Sequence, residues 1–260
     1  AAAAVSKADI DTYLNFLINV NKYVIWDEKL DRFVAEERRE IGKLVLDKVA
    51  LNSVNQAQKN TAICAYVGQG KGLQWDDEVN ALIARVSLAK HYELGGINWP
   101  NFDQASLEQT AEQWLSPYLQ QIKTGKDLNR LPLHDILWAQ LDWNAQQHLN
   151  EHVPQRYKVP SGSNVKIDYT VNPPVLATKL QEMFGQQVTP SILQGRYPLL
   201  VHLLSPAGRP LQITQDLEGF WQDSYHGVRK DMRGRYPKHP WPEDPSQAIA
   251  TRHTKKRAGL

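Results

Sequence analysis

Two stretches in the last third of the chain decide its reading: Leu203–Trp221, LLSPAGRPLQITQDLEGFW, and Val228–Pro245, VRKDMRGRYPKHPWPEDP. In the first, Leu199–Leu204 and Leu211–Thr214 flank Ser205-Pro206-Ala207-Gly208, which predicts a β-hairpin. Asp216 then caps a helix whose one face carries Leu217, Phe220, Trp221, Tyr225, Val228 and Met232. Gly234 ends that helix, and Pro237, Pro240, Pro242 and Pro245 force an extended tract. The second stretch packs five cations, three aromatic or imidazole rings and four prolines into eighteen residues. That mixture is poor core material and suits an extended, basic recognition surface.

Upstream, Arg156–Val159 and Asn164–Thr170 flank Pro160-Ser161-Gly162-Ser163, a second hairpin signal, with Val165, Ile167 and Tyr169 alternating against polar neighbours. Pro173-Pro174 is expected to open a helix bearing Leu176, Leu180, Met183 and Phe184, closed by Gly185. The middle of the chain reads as helical. Asp76-Asp77 caps a helix through Val79, Leu82, Ile83 and Val86, stopped by Gly95-Gly96. A second helix is expected from a cap at Ser106 through Leu107, Ala111, Trp114, Leu115, Tyr118 and Ile122, and a third from about Leu133 to His152, terminated by Pro154. Asn52–Asn60 reads as a loop or the start of a helix. At the front, Ser6–Asp9 has capping-box spacing before a short helix. Tyr23–Trp26 and Arg32–Glu36 then read as a hairpin that continues into a strand over Ile41–Leu46.

The expectation is an α+β chain in four parts. Residues 1–50 form a partial, OB-like β segment, 51–154 a helical segment, 155–245 a mixed unit with two hairpins and helices, and 246–260 a basic mobile tail ending in Lys255-Lys256-Arg257. A length of 260 residues buries enough surface to dispense with disulfides or metals. The one cysteine, Cys64, lies in an apolar run and reads as a buried small hydrophobe, consistent with a reducing compartment. No run of eighteen apolar residues exists. Ala1–Ala4 lacks the basic and hydrophobic regions of a signal peptide and reads as the ragged start of a fragment. Net charge is only +2, but residues 196–260 hold eleven Lys/Arg against six Asp/Glu, leaving about −3 on the rest.

Three constellations touch chemistry. Val67–Gly72 looks like a phosphate loop but fails: Ala65 stands where the first glycine is needed, and Gly72 where the metal-binding hydroxyl is needed. His148-Leu149-Asn150-Glu151-His152 matches H-x-x-E-H, a zinc-hydrolase spacing; the competing reading is a half-buried histidine plus one facing the helix dipole. The basic tract remains. Arg229, Lys230, Arg233, Arg235 and Lys238 suit phosphates, and Tyr236, His239 and Trp241 suit stacking on unpaired bases. The alternative is that the arginines tie the segment onto its own domain, with Tyr236 and Trp241 as packing anchors.

The strings PSGS (160–163), DY (168–169), PPVLA (173–177), LQEMFG (180–185), LLSPAGRP (203–210), ITQDLEGFW (213–221) and the whole of 228–245 occur in an order that resembles the C-terminal region of HrpB-type bacterial DEAH-box ATP-dependent helicases. Trp26-Asp27-Glu28, Arg38-Arg39 and Leu44-Val45-Leu46 resemble that family's segment just after the helicase core. The resemblance implies a cytoplasmic, ATP-driven RNA or nucleic-acid helicase whose RecA-like motor domains lie outside this chain. ATP and Mg²⁺ belong to that motor; no cofactor, metal or catalytic residue is expected here. The implied partners are single-stranded RNA or DNA and the helicase core of the same polypeptide. A scaffolding module docking a protein through the Pro-rich tract is the second reading, and a metallohydrolase through His148, Glu151 and His152 the third.

Overall fold

The computed structural model describes residues 5–259; Ala1–Ala4, read as a fragment's start, and Leu260 lie outside them. In chain order the elements are α1 (Lys7–Tyr13), β1 (Asn19–Asp27), β2 (Arg32–Ile41), β3 (Leu44–Ala50), α2 (Gln56–Val67), α3 (Asp77–His91), α4 (Gln104–Gln109), α5 (Ala111–Leu115), α6 (Gly125–Asn129), α7 (Leu133–Trp138) and α8 (Trp143–His152). They continue as β4 (Arg156–Lys158), β5 (Asn164–Asp168), β6 (Val175–Lys179), β7 (Ser191–Ile192), β8 (Tyr197–Pro198), β9 (Leu200–Leu204), β10 (Pro210–Thr214), α9 (Leu217–Gly219), α10 (Tyr225–Arg235) and α11 (Lys255–Ala258). The class is α+β. The chain divides into two compact units, one of residues up to 75 with 103–140, the other of 76–102 with residues from 141 onward.

In the first unit, β1, β2 and β3 form an antiparallel meander with register Tyr23↔Glu36 and Arg38↔Lys48. It is an open three-stranded sheet, not a closed barrel. Its charges are paired: Arg38 reaches Glu36 on the same strand at 2.5 Å and lies over the Tyr23 ring of β1, and Lys48 of β3 reaches the same Glu36 at 3.2 Å. The turn after β1 docks on the start of α6, where the Gly125 amide donates to the Asp31 carbonyl at 2.9 Å. A side chain at Gly125 would run into the Asp31 carboxylate, which would have to move aside. α2 packs on β1, with Trp26 stacked on Tyr66 at 5.0 Å, and on α4 and α5. α2 begins at an Asn55 capping box, so the segment left open as loop or helix is a helix.

Two expected long helices are broken. The one expected from Ser106 is capped instead by Asp103, whose carboxylate accepts from the Ser106 amide, and it divides at Thr110 and again at Ser116-Pro117. Pro117 cannot donate to a helical ladder. The run expected from Leu133 to His152 stops at Trp138 and restarts when Asp142 caps α8 by accepting from the Ala145 amide at 2.7 Å.

In the second unit, five strands form one sheet in the order β10-β9-β6-β5-β4, with β6 and β9 parallel. Both expected hairpins are present, as β4–β5 and β9–β10. The helix expected after Pro173-Pro174 is not: Val175–Lys179 is a strand, and Leu180–Met183 a single 3-10 turn. The reason is periodicity. Leu176 and Thr178 are buried while Ala177 is exposed, a two-residue repeat that fits a central strand. Leu180, Met183, Leu199, Val201, Leu203, Leu217 and Tyr225 are fully buried around it. Arg85 of α3 is buried too, 1% exposed, and closes the C-terminus of α8. Its Nε donates to the Val153 carbonyl at 2.7 Å and its Nη2 to the Leu149 carbonyl at 3.4 Å. Burial lowers its pKa to about 10, so it stays a cation at neutral pH.

Arg85→Met leaves the buried Val153 carbonyl without its donor, while the Leu149 carbonyl keeps the Val153 amide. The expected loss in urea denaturation is about 2–4 kcal/mol, with Arg85→Lys falling between Met and wild type.

Candidate nucleic-acid interface

The basic tract begins as a helix and is then made to leave it. Leu217–Gly219 is capped by Asp216, passes through a π turn at Phe220–Ser224 and runs into α10, which buries Tyr225 and Met232. After Tyr236, four residues precede prolines: Tyr236, His239, Trp241 and Asp244. Each is pushed toward extended backbone, and each proline lacks an N–H, so neither helix nor ladder can form. The carbonyls of this tract are caught one by one. Gln181 Nε2 donates to Pro240 O at 3.0 Å, Arg229 Nε to Trp241 O at 3.0 Å, and the Tyr225 hydroxyl to Pro242 O at 2.8 Å. The Gly185 amide donates to Pro245 O at 2.9 Å. Gln181 is 2% exposed and doubly used, because His239 Nδ1 lies 3.0 Å from its Oε1. Since Gln181 Nε2 is already committed as a donor, His239 is the donor to Oε1. Burial, and then Lys179, hold His239 below its ordinary pKa. Its neutral form is thus favoured by folding, and that contribution is lost as pH falls below the unfolded value.

The eight residues picked from the sequence divide into anchors and exposed groups. Trp241 is 5% exposed and its indole donates to the Tyr236 carbonyl at 3.0 Å, so it packs the tract down and offers no face to a base. Arg229 is half-buried and shared between Trp241 O and Glu243, 3.2 Å away. His239 is half-buried on Gln181, and Tyr236, also half-buried, stands edge-on to it. Lys230, Arg233, Arg235 and Lys238 are exposed, and among the described residues none of their side chains forms an ion pair or hydrogen bond. On α10, His226, Arg229, Lys230 and Arg233 share one stripe, and Arg235 stands off it. His226, exposed and four residues before Lys230, was missed by sequence reasoning although the helical spacing was legible.

The terminal segment makes two backbone hydrogen bonds to the rest of its unit. The Thr251 amide donates to the Gln181 carbonyl at 3.0 Å and the Lys255 amide to the Lys238 carbonyl at 2.9 Å. α11 follows, ended by Gly259 at φ +74°.

The other constellations are held in packing and ion-pair contacts. His148 and His152 sit 5.6 Å apart, ring to ring, but Glu151 is exposed and 3.9 Å from His152, and the His148 ring packs against Gly95. Among the described residues no group of three or more His, Cys, Asp or Glu is placed to hold a metal ion. Lys71, in the loop that resembled a phosphate site, is paired with Glu28 at 2.7 Å. Cys64 is buried, and burial pushes its thiol up to about 11, far from reactive thiolate. No helix among the described residues is long and apolar enough to cross a membrane.

Comparison with known proteins agrees with the resemblance. The family profile described as ATP-dependent helicase C-terminal matches residues 114–245, and that of the ATP-dependent RNA helicase HrpB connector region matches 17–51. The chain is similar to the ATP-dependent RNA helicase HrpB of Escherichia coli (strain K12), 40% identical over 244 residues that cover 92% of this chain and 30% of that protein. It is also similar to the crystal structure of the E. coli DExH-box NTPase HrpB, with a TM-score of 0.76 and 37% identity over 96% of this chain and 31% of that one. A crystal structure of the Escherichia coli DEAH/RHA helicase HrpB gives a TM-score of 0.66 and 37% identity over 86% of this chain and 29% of that one. The chain thus spans about 30% of the length of the curated relative it matches. It belongs to the HrpB family of DEAH-box ATP-dependent RNA helicases and corresponds to the C-terminal region of its members.

Proposed function

We propose that this region binds the backbone of single-stranded nucleic acid through Lys230, Arg233, Arg235 and Lys238, as an accessory part of an ATP-dependent RNA helicase. In that role it guides or clamps the strand and braces the motor domains of the same polypeptide. ATP and Mg²⁺ act on those motor domains, and the β1–β3 meander serves as part of an OB-like unit. The observation that carries this reading is the row of exposed, unpaired cations on a tract whose backbone is held from beneath. A polyanion compensates such charges and releases counterions on binding, which makes the affinity steeply salt-dependent. Tyr236, half-buried beside them, is the ring left to stack on a base.

Docking of a protein on the Pro-rich tract has less support. Pro240, Trp241 and Pro245 are buried, and the carbonyls of Pro240, Trp241, Pro242 and Pro245 are already engaged. A groove-binding partner reads prolines and carbonyls that are free.

Titration with labelled single-stranded RNA across a salt series tests the proposal. Arg233→Ala/Arg235→Ala/Lys238→Ala is expected to bind about tenfold or more weakly near 0.1 M salt, with a salt slope smaller by about 2. Absence of binding by the folded wild-type chain at low salt contradicts the proposal. The two rings separate as well. Tyr236→Ala is expected to lose about 1–3 kcal/mol of RNA affinity at nearly unchanged stability. Trp241→Ala is expected to lose about 3–5 kcal/mol of stability in chemical denaturation.

A further inference from the structure

The fold brings together two runs of cations that lie seventeen positions apart in the chain. The Lys255 amide sits 2.9 Å from the Lys238 carbonyl, and the Thr251 amide 3.0 Å from the carbonyl of Gln181, the residue whose side chain also holds Pro240. The tract and the terminal segment therefore share one buried anchor. Thr251 itself is 8% exposed. The short helix α11, started at Thr254 and stopped by Gly259, presents Lys255, Lys256 and Arg257 to solvent beside Lys238.

Among the described residues, no side chain of Lys238, Lys255, Lys256 or Arg257 forms an ion pair or a hydrogen bond. Residues 228–259 hold nine Lys/Arg against three carboxylates, of which Glu243 is taken by Arg229 and Asp244 by the backbone and hydroxyl of Ser246. Several cations of the first unit are matched by carboxylates: Arg39 with Asp11 and Asp47, Arg38 and Lys48 with Glu36, Lys71 with Glu28. Holding like charges together without counter-charges works against the compact state. The backbone hydrogen bonds that hold them in place make this gathering a built feature of the fold.

We propose that Lys255, Lys256 and Arg257 join Lys238 as a second phosphate-binding segment of the same single-strand interface, continuing the row that begins on α10. Backbone contact with the strand, not base reading, is the role, because these side chains are cations without a ring among them. The proposal rests on the nucleic-acid reading of the basic tract and extends it to residues that the tract does not include.

The whole chain and a Lys255→Ala/Lys256→Ala/Arg257→Ala variant, titrated with a labelled single-stranded RNA of about 12 nucleotides, test it. The variant is expected to bind about tenfold or more weakly near 0.1 M salt, with a salt slope smaller by about 2. Equal affinity and slope in the variant, beside a wild type that binds, overturn this extension alone; no binding by wild type overturns the underlying reading as well. Amide hydrogen exchange on the free protein adds a readout independent of RNA. Slowed exchange at Thr251 and Lys255 is expected, and random-coil exchange over 251–258 overturns the placement.

Discussion

Four prolines within nine residues leave a segment that can neither continue a helix nor join a sheet, yet its carbonyls still need donors once they are covered. The core supplies those donors. Gln181, Arg229 and Tyr225 reach Pro240, Trp241 and Pro242 in succession, and the Gly185 amide takes Pro245. Each bond is worth about 0.5–1.5 kcal/mol net, and each left unmade costs more than that. Most of what is distinctive in the second unit follows. β6 must be a strand for the turn at Leu180–Met183 to deliver Gln181 beneath the tract. α10 must start at Tyr225 for one hydroxyl and one guanidinium to rise from the same helix face, four residues apart.

The anchoring sorts chemically similar side chains into different jobs. Arg229 and Arg233 are one helical turn apart, but the first is spent on Trp241 O and Glu243 while the second is exposed. Trp241 and Tyr236 are both aromatic, but the first is an anchor whose indole N–H holds the second's carbonyl. Self-packing thus accounts for the tract's inner face, and the proposed recognition falls to the cations left exposed on its outer face. The inward groups fix the backbone, and the fixed backbone holds the outward cations at set spacing, so a strand binding there meets side chains whose backbone ordering is already complete.

Much of this was legible in sequence, and the failures have physical causes. The hairpins at 156–170 and 199–214 followed from alternation and turn residues, and the caps at Ser6, Asp76 and Asp216 from the oxygen needed by unpaired amides. Val175–Lys179 was misread because Leu176, Leu180, Met183 and Phe184 also fit a helical spacing; parallel pairing with β9, which no local window shows, decided for the strand. The helix breaks at Ser116-Pro117 and at 139–142 were announced by Pro117 and Asp142, signals outweighed in the reading by long apolar stripes. Arg85 was invisible as a buried residue, since its position on the apolar face of α3 is recognisable only with its acceptors in Leu149 and Val153 in view. The two backbone hydrogen bonds made by Thr251 and Lys255 are long-range contacts that composition cannot announce.

The most direct test of the central claim is photo-crosslinking of single-stranded RNA carrying 4-thiouridine to the intact chain, with the modified peptides mapped by mass spectrometry. Adducts concentrated on the segment from Lys230 to His239, lost as salt rises and absent from Trp241, are the predicted result. Adducts confined to the first unit, or spread evenly over the chain, contradict it.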